Sequence, residues 1–129
     1  MTEAFDADVL IYAASDHPAA PKLRAIIFGG EPLVGSLVLL PEILSKPLRS
    51  NRDDELDALL GLLDRIDLKP VDIEIAAGAT EYAAKYRLRA ADAIHLATAV
   101  VWGAERFHTN NRKDFGARIE EVEVVWASD

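Results

Sequence analysis

Along this chain, short apolar runs closed by turn residues alternate with longer stretches whose apolar positions recur at helical spacing. Phe5 and the run Val9-Leu10-Ile11-Tyr12 flank two acids, Asp6 and Asp8. This pattern predicts a short strand ending near Asp6, then a turn into a helix through Tyr12 to Ala14. Asp16-His17-Pro18 reads as a turn, with His17 a solvated loop residue. Pro21 to Phe28 has amphipathic spacing and stops at Gly29-Gly30, and Pro32 to Gly35 is a second short apolar strand. Ser36 is a candidate cap for the segment SLVLLPEILSKPL. Pro41 within it lacks an N–H, so the helix either bends there or starts there.

The spacing next predicts a helix from Asp53 to Arg65, with Leu56, Leu59, Leu60 and Leu63 as its buried stripe. The acids Asp53, Asp54 and Glu55 open it, where the helix dipole favours them, and with Asp57 they read as a solvated face. The basic residues Lys46, Arg49 and Arg52 just before it read as surface charge or as an RNA contact. Asp67 to Val71 is a third strand. Ile73 to Tyr86 is a helix expected to turn Ile73, Ala76, Ala77, Thr80 and Ala83 or Ala84 inward. Arg87 and Arg89 lead into a helix rich in Ala, Leu and Ile, Arg89 to Ala104, with Gly103 as its stop. Glu105 to Thr109 is a fourth strand, Asn110 to Gly116 a polar loop, and Glu121 to Trp126 a last strand at a sheet edge. This order predicts a three-layer α/β domain with a mainly parallel central sheet flanked by helices. With 129 residues, the whole chain, 1–129, is expected to form one domain.

Composition narrows the chemistry. There is no Cys, which excludes disulfides, thiolate metal sites and Cys nucleophiles. Three scattered His make a His-rich zinc site a poor fit. A metal would therefore have oxygen ligands, which suits Mg²⁺ or Mn²⁺. The formal net charge of −8 argues against broad non-specific nucleic-acid binding, which depends on neutralising phosphates. It does not exclude a nuclease, whose site is acidic and holds cations. The first residues lack a basic region followed by an apolar run, and no uncharged apolar stretch approaches the ~20 residues of a membrane helix. The expectation is a soluble, cytoplasmic chain with no membrane partner.

Lone acids recur at element edges: Asp6 after the first strand, Glu42 after the second, Asp92 in the helix before the fourth, and Asp114 in the loop after it. Each has a plain alternative. Asp6 and Asp8 are good helix caps, Asp92 complements a helix dipole, and Glu42 fits an exposed edge. A parallel sheet gathers such positions at its C-terminal edge. Carboxylates forced together there repel unless cations bind between them, and Mg²⁺ in such a site meets substrate phosphates. Phosphodiester hydrolysis is the reaction such a site serves.

Taken in order and spacing, FDADVLIYA, the lone Glu of LLPEIL, RLRAADAIHLATA and FHTNNRKDF resemble the PIN-domain ribonucleases. Among these, the resemblance is to the VapC-type toxins of type II toxin–antitoxin pairs. It covers nearly the whole chain and is most specific in LRAADAIHLATA. It implies an endoribonuclease dependent on Mg²⁺ or Mn²⁺, with RNA as substrate. It also implies a homodimer restrained by a cognate antitoxin, with DNA met only through that antitoxin. By position, it implies that Asp6, Glu42 and Asp92 are catalytic acids and metal ligands. Asp8 falls where the family more often has Asn or Ser.

The fourth family position departs from the pattern, since Thr109 is followed by Asn110 and Asn111 where an Asp commonly stands two residues after the Thr. Asp114 either supplies the missing charge as a fourth catalytic acid or begins the next turn. Thr109 and Asn111 still offer hydroxyl and amide contacts. His95, one turn beyond Asp92, packs in the core or bonds a neighbour. Two other functions stay open. Asn111 leaves room for a catalytically weak PIN-like binding module acting through a protein partner. Asp6-Ala7-Asp8-Val9 also fits the first motif of haloacid-dehalogenase-like phosphatases, although the downstream Lys and paired acid those enzymes need are not seen.

Overall fold

The computed structural model describes residues 1–116 and 119–127. In chain order the elements are β1 (Glu3–Phe5), α1 (Ala7–Ala13), α2 (Ala20–Ile27), β2 (Leu33–Ser36), α3 (Leu39–Arg49), α4 (Asp53–Leu63), β3 (Asp67–Lys69), α5 (Ile73–Tyr86), α6 (Ala90–Val101), β4 (Arg106–Thr109) and β5 (Glu123–Trp126). The strands pair in the order β3-β2-β1-β4-β5, every pair parallel. Helices cover both faces, so the three-layer α/β arrangement read from the element order is the fold. β5 lies at an edge, as its weak alternation predicts.

The period-2 alternation of the short strands divides the core into two layers. Phe5 and Leu33 point to one face, where they meet Leu10, Leu23, Leu39 and Leu59 of α1 to α4. Ala4, Val34 and Phe107 point to the other, where they meet Ile75 of α5 and Leu96 and Ala97 of α6. α6 ends where Gly103 takes φ +75. There Gly103 N–H donates to Val100 O at 3.2 Å and Ala104 N–H to Ala99 O at 2.8 Å, the paired bonds of a Schellman stop.

Several expectations are corrected. The inward stripe of α5 is Ile75 and Ala79, with Tyr82, Ala83 and Tyr86 half-buried. Ile73 is 86% exposed, because it lies about 200° around the helix from Ile75, the residue of the first turn that faces the core. In α4 the stripe is Leu59, Leu62 and Leu63, and Leu60 faces solvent. Pro41 stands where α3 starts, two residues after Leu39. It occupies the first turn, where its missing N–H has no helical acceptor anyway. Pro47 is the proline inside that helix. Ser36 Oγ accepts from Val38 N–H at 3.1 Å, one turn before α3 begins. His17 is not simply solvated; its ring stacks on Tyr12 with centroids 4.3 Å apart.

Two glycines test this packing with opposite signs. A Cβ on Gly35 of β2 would lie 2.8 Å from Leu39 Cδ1 and 3.1 Å from Ile66 Cγ2, both in the core. Gly35→Ala should therefore lower the free energy of unfolding by ~1–3 kcal/mol, the cost of overpacking. A Cβ on Gly61 of α4 meets nothing within 4 Å, so Gly61→Ala should raise it by up to ~1 kcal/mol through helix propensity. Urea denaturation of the two variants against the parent measures both.

Candidate active site

From β1 the chain spreads through β2 to β3 on one side, and β4 and β5 fill the other. The C-terminal ends of β1 and β4 therefore border a switch point, where open parallel sheets form a crevice. Asp6 directly follows β1, and Asn110 and Asn111 follow β4. Glu42 lies in the first turn of α3, which leaves the end of β2. α6 runs into the start of β4, so its first turn, carrying Asp92, lies at the opposite, C-terminal edge. Asp6, Ala7, Asp8, Glu42, Arg89, Asp92, Asn110 and Asn111 together line one open cleft of about 370 Å³. Three of the four acids singled out in the sequence thus share a cleft with Asp8. Asp114 lines the neighbouring one.

Each acid is held differently. Asp6 caps α1 and is buried. Its Oδ1 accepts from Ala7 N–H at 2.8 Å and its Oδ2 from the Thr109 hydroxyl at 2.9 Å. Its backbone N–H donates to His108 O at 2.9 Å, so β4 fixes both its main chain and its side chain. Glu42 meets buried His95 through Oε1 and Nε2; the hydrogen-bonding alternative for His95 is the one realised. Asp92 is 9% exposed, and its Oδ2 has no hydrogen-bond partner among the described residues, with Arg89 Nε 3.8 Å away. Asp8 Oδ1 is buried and equally unpartnered.

Burial, and then the charges of Asp6 and Asp114, push the Asp92 carboxyl up to about 6. Burial and the Asp6 charge push Asp8 up to about 6 as well. Asp114 moves the other way. Its Oδ2 accepts from Asn111 Nδ2 at 2.9 Å and from Arg89 Nη2 at 3.2 Å, and these contacts hold its carboxyl below the usual range. Asn111 therefore does not leave its position uncharged in effect. Its amide draws in the acid three residues later, and that acid's field reaches Asp92. Pattern reading missed Arg89 as a bridge between Asp92 and Asp114. The spacing of Arg89 and Asp92, three apart at a helix start, was the available signal.

The donors facing the cleft are hard oxygens, and two of them are buried without partners. Among the described residues, no group of three or more His, Asp or Glu side chains is close enough together to hold a metal ion by itself. The oxygen donors suit a hard cation, and Mg²⁺ is usually held by one or two carboxylates, waters and substrate phosphate rather than by a protein cage.

The raised carboxyls set a pH dependence. A folded-state value near 6 against 3.8 means that the folded chain keeps a proton the unfolded chain has lost. The stability from that proton is complete below about 3.8 and disappears as pH rises through about 6. Buried His108, depressed mainly by burial, has the opposite slope, so a comparison with a variant is needed. In chelator, Asp92→Asn should melt above the parent at pH 7, and the difference should fade towards pH 4. Melting curves of both proteins across that range check it.

Residues 4–119 match the model of the PIN domain. No curated protein sequence is significantly similar to the chain. Among solved structures, it is similar to a chain of VapBC2 from Rickettsia felis bound to a DNA fragment from their promoter. The TM-score is 0.78 at 16% identity, over 98% of each chain. A chain of DNA-bound VapBC from Salmonella typhimurium gives 0.78 at 17% identity, again over 98% of each. A toxin–antitoxin complex from Klebsiella pneumoniae gives 0.74 at 24% identity, over 94% of this chain and 98% of that one. These identities establish likeness of fold, while the family match covers most of the chain from β1 onward. The chain belongs to the PIN domain family.

Proposed function

We propose that this chain is an endoribonuclease dependent on Mg²⁺ or Mn²⁺, acting as the toxin of a type II toxin–antitoxin pair. Family membership supports nuclease chemistry. The likeness to chains from toxin–antitoxin complexes supports an antitoxin as partner. The observation that carries the chemistry is the pair of buried carboxylate oxygens with no hydrogen-bond donor among the described residues, Asp8 Oδ1 and Asp92 Oδ2, in one cleft with Asp6 and Glu42. A folded chain tolerates such groups where a ligand completes them.

Asp6, Glu42 and Asp92 are the residues that would hold the ion. A divalent cation there offsets their mutual repulsion and stabilises negative charge developing on the phosphoryl oxygens. Asp6 contributes rigidity, because hydrogen bonds to both its oxygens fix its orientation before substrate arrives. His95 orients Glu42 through Oε1, and Glu42 lines the cleft. Asp114 acts through Arg89 and Asp92, as a positioning residue that returns the charge absent at Asn111. Among the described residues, Arg89 is the one cation lining the cleft, and it meets the substrate's phosphates.

The proposal includes a homodimer in the cytoplasm, with residues 1–129 as a single PIN-like domain. It also includes an antitoxin that places a basic side chain among the acids, a role for which Arg suits bidentate carboxylate contact. DNA is met only through that antitoxin. The absence of a three-acid cluster among the described residues favours one other reading, a PIN-like binding module with weak or no turnover.

Two measurements separate these readings. Mn²⁺ should raise the melting temperature of the parent by preferential binding to the folded state, and the parent freed of antitoxin should cut RNA until EDTA is added. Asp92→Asn should keep the fold, lose most of the metal-induced shift, and cut RNA at least ~100-fold more slowly, the scale of removing one preorganised charged group. Undiminished cleavage in EDTA would overturn the metal-dependent reading. A parent with neither shift nor cleavage would leave the binding module.

A further inference from the structure

A second cleft, of about 230 Å³, adjoins the acidic one and is lined by Tyr86, Arg87, Lys113, Asp114, Gly116 and Ile119. The partition between the two is the Arg89–Asp114 pair, 3.2 Å apart, with Arg89 lining the acidic cleft and Asp114 lining this one. The charges around the second cleft are unbalanced. Asp114 is already matched by Arg89 and Asn111. Glu121 takes Lys85 at 3.0 Å and the Tyr86 hydroxyl, and Lys85 also reaches Glu120 at 3.9 Å. Arg87 and Lys113 are exposed, and no ion pair or hydrogen bond engages either side chain among the described residues. Two cations without a charged partner among the described residues thus line one recess.

Arg87 is also costly where it stands. It caps α5 in the left-handed region, φ 56 and ψ 41. Glycine adopts that conformation without steric penalty and is the usual residue at such a helix end. An arginine there gives up backbone stability for a side chain that makes no hydrogen bond or ion pair among the described residues. Strain of this kind accompanies a functional role for the strained residue more often than a random placement.

We propose that Arg87 and Lys113 form a phosphate-binding subsite for single-stranded RNA, holding the backbone phosphate next to the one positioned over Asp6 and Asp92. The inference rests on the nuclease reading above and gives it a direction, with the strand crossing the Arg89–Asp114 partition. It also resolves the charge problem of an acidic nuclease. Arg87 and Lys113, two of the chain's 14 Lys and Arg residues, line the recess next to the reactive acids. The guanidinium of Arg87 suits a phosphate because it offers paired donors in a fixed plane, and Lys113 adds a mobile point charge. Neither residue touches the reacting phosphate, so the subsite contributes to binding rather than to the chemical step.

The test uses the full chain free of antitoxin. Binding of a fluorescein-labelled single-stranded RNA is followed by anisotropy in Ca²⁺ over a series of salt concentrations. Cleavage is followed separately in Mn²⁺. The proteins are the parent, Arg87→Gly, Lys113→Ala and a remote control, Arg65→Ala. Arg87→Gly and Lys113→Ala should each weaken binding about 3- to 10-fold and make the salt slope shallower by about 1. Both should raise KM while leaving kcat near the parent's. Arg87→Gly should melt at or above the parent's temperature, so its loss of binding cannot come from unfolding. Arg65→Ala should bind as the parent does. Affinity and salt slope unchanged in both variants would overturn the subsite, as would an equal loss in Arg65→Ala. If the parent cuts RNA and the variants are unaffected, the subsite falls alone. If the parent neither binds nor cuts RNA, the nuclease reading falls and takes the subsite with it.

Discussion

The pairing of β1 with β4 joins residues about a hundred positions apart, and the acidic cleft exists only because that pairing has one register. Glu3 sits opposite Arg106 and Phe5 opposite His108. Glu3 is 2% exposed, a buried carboxylate in the middle of a sheet. Arg106 meets it with two bonds, Nε to Oε2 at 2.9 Å and Nη2 to Oε1 at 2.8 Å, and His108 Nε2 lies 3.5 Å from Oε1. A buried ion pair is weak evidence for net stability, because desolvation offsets much of its attraction. Its effect here is on alternatives. A slip of one residue would turn Arg106 to the other face and leave Glu3 charged, buried and unpaired. The register that satisfies Glu3 is the register that brings the Thr109 hydroxyl to Asp6 Oδ2.

The other side of the cleft depends on close approach rather than on charge. α6 is Ala-rich, and a Cβ placed on Gly78 of α5 would lie 3.5 Å from the Ala97 Cβ. Small residues on both helices let them pack tightly, and the apolar face of α6 fits between α5 and the sheet, with Leu96, Ala97 and Ala99 fully buried. A helix held so firmly presents its first turn at a fixed height over the sheet edge. Asp92 and His95 sit one turn apart on it, so the core that immobilises α6 also sets the positions of one acid and of the partner of another.

Departures from local rules concentrate around this edge. Asp8 and Asp92 carry carboxylate oxygens with no hydrogen-bond donor, and Arg87 holds a left-handed backbone that a glycine would adopt freely. Several other segments follow their local preferences. Asp72 caps α5 with a 2.9 Å bond to Ile75 N–H, Gly103 stops α6, and Asp53, Asp54 and Glu55 open α4 where the dipole favours them. Local conflict at a cleft, supported by consistency around it, is the pattern expected where binding rather than folding sets the residue.

Much of this was legible in the sequence because it depends on near neighbours. The element order, the parallel three-layer fold and the edge position of the last strand follow from periodicity and turn residues. The motifs around Asp6, Glu42 and Asp92 carry the family resemblance. The stripe of α5 was misread by one helix position because small Ala and Gly residues give hydrophobic periodicity little contrast and the bulkier Ile73 drew the face towards itself, while in α4 Leu59 and Leu63 were read correctly and only Leu60 was placed inward in error. Glu3, Arg106 and His108 gave no signal at all. Each reads as an ordinary polar residue in its own segment, and only strand register makes them a buried group. The link from Asn111 through Asp114 and Arg89 to Asp92 is of the same kind. Sequence determines which residue types are available at each element edge, whereas the distances and burial that shift their carboxyls and pair their charges are set by the sheet that brings distant segments together.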